Sequence, residues 1–254
     1  MLAQQLFVSA AVLGLVVTAL WVVSLWLRDV SIVDVFWGPL FLMVTVVGWL
    51  LGPQHVRALI LLGIVGAWSL RLAGHLGWRA VGKGEDRRYQ AMRRSVGRTF
   101  ALRSLLTVFW LQACLALLIA LPLHSAMLSR SSLTTLDALG FLLAAFGLAY
   151  ESIADLQLAR FKADPNNHKA VMQRGLWRHS RHPNYFGDFC FWWGIGLVGL
   201  AAGPWWVVAG PVVMTVLLLR VSGVTLLERT IVARRPEYRE YLARTNAFFP
   251  GPQR

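Results

Sequence analysis

Seven apolar runs occupy most of this 254-residue chain, at 6–27, 31–51, 56–80, 100–121, 133–161, 185–202 and 204–221. A helix that crosses the hydrocarbon core of a bilayer needs about 20 mainly apolar residues, and each run meets or approaches that length. Composition agrees: 57% of the residues are hydrophobic and 15% charged, where a soluble domain carries roughly a quarter. The surplus apolar surface has to face lipid. The sequence therefore predicts an all-α, polytopic membrane bundle of about seven transmembrane helices. The last two runs, separated only by Gly203 and Pro204, are expected to form a tight hairpin. No internal repeat or low-complexity linker interrupts the pattern, so 1–254 is read as a single membrane domain.

Orientation follows from Lys and Arg. With the N-terminus outside, the inner segments carry Arg28, six cations within 83–98, six within 160–181 and seven within 220–254, against Arg57 and Arg130 outside. Positive charge is retained on the cytoplasmic side, so the chain is expected to run N-out and C-in, with a polar helical tail from Leu226 in the cytoplasm. The net charge of +13 is accounted for by topology and anionic lipid, which argues against nucleic acid as a partner. Cys114 and Cys190 each lie inside an apolar run, which encodes neither a disulfide framework nor a thiolate metal site. No Lys or Arg precedes the first run, as a cleavable signal peptide would require, so that run reads as a retained helix.

Ionisable side chains inside hydrocarbon are costly, roughly 2.5–3.5 kcal/mol at mid-helix, and mark candidate sites. In the second run Asp34 lies about 5 Å beyond Ser31, with Trp37 and Phe41 on its face. The third run presents Trp68, Arg71, His75 and Trp78 on one face. Asp34 is expected to meet Arg71 or His75, either as a pair that only fixes helix register or as catalytic groups. The fifth run, about 43 Å long as a helix, projects past a core of about 30 Å and carries Glu151 and Asp155 one turn apart near its exit. The sixth begins at His182-Pro183-Asn184-Tyr185, with Pro at the first helical position and Asn184 and Asp188 on one face. All these groups are expected at one membrane depth.

Arg174, Arg178, His179, Arg181 and His182 crowd the start of that sixth helix. Free amides and the helix dipole favour anions there, so a phosphate-bearing cofactor fits, although lipid headgroups would use the same cations. Gly77–Lys83 spells part of a phosphate loop, but position 84 is Gly rather than Ser or Thr and a helix, not a strand, precedes it. His179 and His182 have no further ligands in a metal-binding spacing.

The run Arg181-His182-Pro183-Asn184-Tyr185-Phe186-Gly187-Asp188, after Arg174-Gly175-Leu176-Trp177, resembles the steroid 5-alpha-reductase C-terminal-domain superfamily, and more closely its bacterial branch of membrane proteins of unknown function. The stretch Ser31-Ile32-Val33-Asp34-Val35-Phe36-Trp37-Gly38, the Gly82-Lys83-Gly84-Glu85-Asp86 loop before Arg88-Tyr89, and the tail from Pro236 to Pro250 are similar to that branch as well. The resemblance implies a cytoplasm-facing NADPH site in a bacterial inner membrane and reduction of a carbon–carbon double bond conjugated to a carbonyl in a lipophilic, steroid- or isoprenoid-like substrate. It divides the chain into substrate-side helices, 1–132, and cofactor-binding helices with the tail, 133–254.

By that resemblance Asp155, Asn184 and Asp188 stand at family positions around the cofactor, and Glu151 stands where steroid enzymes have Asn. Arg174, Arg178, His179, Arg181, His182 and Tyr185 complete the expected cofactor set. The family's Glu and Tyr that polarise substrate have Asp34 as nearest acid, with Trp68 or its neighbours in place of the Tyr. A protonated Asp34, with Arg71 and His75, would polarise the carbonyl so that hydride adds at the beta carbon. Membrane methyltransferases of the prenylcysteine or phospholipid type carry a similar RHPxYxG run and form the rival reading, with S-adenosylmethionine as cofactor. They usually have Glu-Glu in the tail, where this chain has Leu227-Glu228-Arg229. A transporter or structural protein is a third class, disfavoured because the intramembrane charges gather at one end and form no path across.

Overall fold

The computed structural model describes residues 1–167, 170–221 and 238–253. Among them the chain is helical, and five helices are long and apolar enough to cross a membrane: Leu2–Leu27, Val56–Ala80, Arg87–Ile119, Thr135–Ala163 and Pro183–Ala202. This is an integral membrane protein. The second and seventh runs are shorter apolar helices, Trp37–Leu51 and Trp205–Val221, so five of the seven expected spans have full length. The reason is proline. Pro39 lacks an N–H and crowds the carbonyl of Val35, and the chain breaks at Phe36 between α2 (Ile32–Val35) and α3 (Trp37–Leu51). Pro211 does the same in the seventh run, which passes from a 3₁₀ turn, Trp205–Val208, to a helix, Ala209–Val216. Of the expected tail from Leu226, residues 226–237, with Leu227, Glu228 and Arg229, fall outside the described residues, as does Lys169, and Tyr238–Arg244 is helical.

The chain forms two compact units, Met1–Leu133 with Gly199–Val207, and Thr134–Val198 with Val208–Arg254. In the first unit α1 (Leu2–Leu27), α3 and α4 (Val56–Ala80) pack with α7 (Leu111–Ile119) and α8 (Leu121–Leu128). Helices in lipid associate by close backbone approach at small residues rather than by expelling water. Gly38 is such a point: a Cβ there would lie 2.8 Å from the Ser69 carbonyl oxygen. Beside it the fully buried Phe41 and Trp68 meet edge to face at 5.7 Å. Trp21 ties α1 down by donating from Nε1 to the Ala101 carbonyl, 2.8 Å away.

The second unit is built on α9 (Thr135–Ala163) and α10 (Pro183–Ala202). A capping box starts α9: the Thr134 hydroxyl accepts from the Asp137 amide while Asp137 accepts from the Thr134 amide at 2.8 Å. Gly140, Ala144 and Gly147 repeat at helical spacing along one face of α9, and α10 answers with Gly187 and Gly194. A Cβ on Gly194 would sit 2.5 Å from the Ala144 nitrogen, and one on Gly140 2.7 Å from the Gly194 oxygen. The hairpin expected at Gly203-Pro204 forms: Trp193 Nε1 donates to Thr215 Oγ1 at 3.1 Å, and Gly196 lies against Pro211.

Candidate functional site

In the second unit the small-residue seam sets the depth at which polar groups meet. Gly187 lies against the backbone of Glu151, and one turn further Asn184 Nδ2 donates to Asp155 Oδ1 at 3.1 Å. Glu151, Asp155 and Asp188 are all buried, with 5%, 6% and 8% exposure. Three carboxyl groups and one amide therefore gather on two adjoining helices. Carboxylates held apart from bulk water bind hydroxyl and amide N–H groups well, because each offers up to four acceptor sites.

The 170–182 segment lies over this end of the helices. Gly175, at φ 60, turns the chain so that Gln157 Oε1 accepts from the Leu176 amide at 2.9 Å, and Trp177 Nε1 reaches the Ala154 carbonyl at 3.0 Å. The C-terminal residues lock the segment from the other side. Ser180 Oγ donates to Phe248 O at 2.8 Å, the Arg181 amide to Asn246 O at 2.9 Å, and the Gly251 amide to His179 O at 3.0 Å. The Tyr241 hydroxyl donates to the Trp177 carbonyl. Arg174, Arg178 and His179 are exposed on this frame, His182 is buried, and its ring stacks on Tyr185 at 5.6 Å. Arg181 differs from its fellow cations: its Nη1 donates to the carbonyls of Leu242, at 3.2 Å, and Thr245. That guanidinium is a tie between loop and tail. Gln157 and Ser180 carry no signal in the sequence, because a residue that holds a loop has no characteristic spacing, whereas Trp177 and Tyr241 lie in the stretches that carry the resemblance.

In the first unit Asp34 does not meet Arg71 or His75. It accepts from Arg88 Nη2 at 2.8 Å, Tyr89 Oη at 2.7 Å and, more weakly, Gln112 Nε2 at 3.4 Å. The break at Phe36 leaves Asp34 on the short α2, at the end of the bundle rather than within a long span. The loop 82–86, turned by Gly82 and Gly84 at φ 74 and 64, then folds back on it. The Asp86 amide donates to Ser31 Oγ at 2.6 Å and the Val30 amide to Glu85 Oε1 at 3.1 Å, which carries α5 (Arg87–Val96) and with it Arg88 and Tyr89 onto Asp34. Tyr89 is 7% exposed. The glycine pair in this loop was the signal available in the sequence. Trp68 and Trp78 lie on the unbroken α4, Trp68 buried and Trp78, near the helix end, exposed.

Glu85 anchors the loop, accepting from Arg93 Nη2 at 2.7 Å and Nε at 3.0 Å. Burial raises its pKa, but the hydrogen bonds from Arg93 and the Val30 amide, with the Arg93 charge, outweigh that and hold it below its ordinary 4.5. Asp86 behaves likewise: burial raises it, and the Arg88 amide and guanidinium pull it below its ordinary 3.8. A depressed carboxylate stabilises the fold above its unfolded-state pKa and loses that contribution as pH falls through the folded-state value. The 82–93 clamp is therefore expected to be fully set at neutral pH and to loosen only as pH drops below 4.5 and on past the lower folded-state pKa values. Hydrogen exchange of the Val30 and Asp86 amides against pH checks this; protection that fades already between pH 7 and 6 would contradict it.

No curated protein and no solved structure matches the chain. A family profile matches residues 20–245 and so takes in both of these polar clusters. The chain belongs to the family described as "Protein of unknown function (DUF1295)".

Proposed function

We propose that this protein is an NADPH-dependent membrane reductase, transferring a hydride to a carbon–carbon double bond conjugated to a carbonyl in a lipophilic, steroid- or isoprenoid-like substrate. The reading includes kinship with the steroid 5-alpha-reductase superfamily, an external N-terminus, and a site facing the cytoplasm of a bacterial inner membrane. The observation that carries it is the Asp155–Asn184 hydrogen bond, flanked by buried Glu151 and Asp188 under a segment bearing Arg174, Arg178 and His179. The donor set fits a dinucleotide: carboxyl and amide groups for ribose hydroxyls and a carboxamide, cations for phosphates.

NADPH, when bound, supplies the hydride. Asp155, Asn184 and Asp188 would hold its hydroxyl or amide groups, and Arg174, Arg178 and His179 its phosphates. In the first unit Asp34 and Tyr89 share a 2.7 Å hydrogen bond. Tyr89 Oη donates that bond to the Asp34 carboxylate, and in the proposed reaction the phenol would give its proton to the substrate and regain one from water. Arg88 and Gln112 position the carboxyl group. This pair takes the role assigned from sequence to Asp34 with Arg71 and His75.

Calorimetric titration of the purified protein with NADPH, NADH and S-adenosylmethionine tests the reading. NADPH should bind more weakly as salt rises, because its phosphates meet exposed cations. Asp188→Ala should cost about 1–3 kcal/mol, roughly tenfold to a hundredfold in affinity, and Arg178→Ala should flatten the salt dependence. Tight S-adenosylmethionine binding with no NADPH heat would replace the reductase with a methyltransferase.

A further inference from the structure

At the other end of the first unit, with Gln5 about 33 Å along α1 from Leu27 at 1.5 Å per residue, lies a group of polar side chains that the proposed reaction does not use. Gln5, Ser9 and His124 are completely buried, and both amide atoms of Gln5, Oγ of Ser9 and both ring nitrogens of His124 have no hydrogen-bond partner among the described residues. Native proteins rarely leave such groups unmet, since each lost its water on burial.

Three helices bring these residues together. Gly48 on α3 is the meeting point: a Cβ there would lie 2.6 Å from Gln5 Nε2 of α1 and 2.9 Å from Met127 Cγ of α8. α3 and α7–α8 run in the same direction, because Gln112 reaches Asp34 at one end while Met127 touches Gly48 and Gly52 at the other. α1 runs against them. One turn deeper from Gly48, the same faces present Ser9 (four residues after Gln5), Thr45 (three before Gly48) and His124 (three before Met127). Thr45 is also fully buried; its hydroxyl donates to the Phe41 carbonyl at 2.8 Å and keeps its lone pairs for another donor.

We propose that Gln5, Ser9, Thr45 and His124 form an internal site for a neutral hydroxyl group. One carboxamide, two hydroxyls and one imidazole offer donors and acceptors together, which matches a hydroxyl that gives one hydrogen bond and accepts two. A bare cation would leave the amide and ring N–H groups unmet, and an anion would leave Gln5 Oε1 unmet. The hydroxyl comes either from an enclosed water, which typically makes about three such bonds, or from the polar end of a lipophilic alcohol entering from the bilayer. The site stands independently of the reductase reading.

The test is thermal unfolding of the full chain in a detergent without hydroxyl groups, for Gln5→Met, Ser9→Ala and the double variant, with 1-dodecanol and dodecane as probes. With a guest bridging the residues, each single change lowers Tm by roughly 2–4 °C, and the double change costs clearly less than the sum, since the first already loses the guest. A dodecanol-specific rise in Tm that His124→Leu abolishes identifies an organic hydroxyl. Coupling without that rise identifies water. Additive effects of either sign, or a gain in Tm from each single change, overturn the proposal, because orphaned polar atoms with no guest only cost stability. Ser9→Ala removes one oxygen and remains informative if a larger replacement blocks folding.

Discussion

Tyr89→Phe is expected to leave the protein folded, with NADPH affinity unchanged, and to cut turnover by about 10²–10⁴-fold, the usual contribution of a positioned proton donor. The ring stays and continues to fill its buried place on α5, and Asp34 keeps Arg88 at 2.8 Å and Gln112 at 3.4 Å. What disappears is the hydroxyl that donates to Asp34 at 2.7 Å and that the proposed reaction uses as proton donor. Asp34→Asn should behave in parallel, since it removes the carboxylate that accepts from and holds the Tyr89 hydroxyl, and because the change acts on the chemical step it should lower kcat before it alters binding. NADPH oxidation against a panel of lipophilic enones, with thermal unfolding of the same preparations, separates the outcomes. If either variant lost several degrees in Tm while its turnover matched the parent, Asp34, Arg88 and Tyr89 would be a structural clamp and the proton route would lie elsewhere.

The largest effect on folding is expected at Gly147. A single Cβ there would collide with the backbone nitrogen of Phe191 and lie 2.5 Å from the carbonyl oxygen of Gly187. Neither obstacle is a side chain that can rotate away. One extra methylene in a packed interior costs about 1–3 kcal/mol, and Val adds three carbons, so Gly147→Val should part α9 from α10 and abolish most folded protein. Gly147→Ala should cost within that range and also weaken NADPH binding, because Glu151 and Asp155 lie one and two turns along the same face as Gly147. Gly63→Ala on α4 is the control: a Cβ there meets nothing within 4 Å, and Ala favours helix over Gly by about 1 kcal/mol. Yield of monodisperse protein and unfolding temperature read all three. Normal yield and stability for Gly147→Val would show that the two helices do not pack on this seam.

What the sequence by itself determined were the features that depend on a residue's immediate neighbours along the chain. Apolar runs of span length predicted membrane helices because hydrocarbon leaves the backbone no other partner than itself, and five of those runs are full-length helices. Helical periodicity placed Glu151 with Asp155 and Asn184 with Asp188, and α9 and α10 bring Asn184 and Asp155 into contact. Tertiary structure decided the rest. Pro39 was visible, but that its break would put Asp34 on a separate short helix, and that Gly82 and Gly84 would then fold Tyr89 and Arg88 onto it, depended on contacts between residues more than fifty apart. Arg181 reads in sequence like Arg174 and Arg178, three cations at one helix start, yet a tail some sixty residues later captures its guanidinium with backbone carbonyls. Charge is a property of the residue, whereas the partner that uses it is a property of the packed chain. For that reason the sequence showed which polar groups lie at the ends of the apolar runs, and only the fold showed which of them face one another.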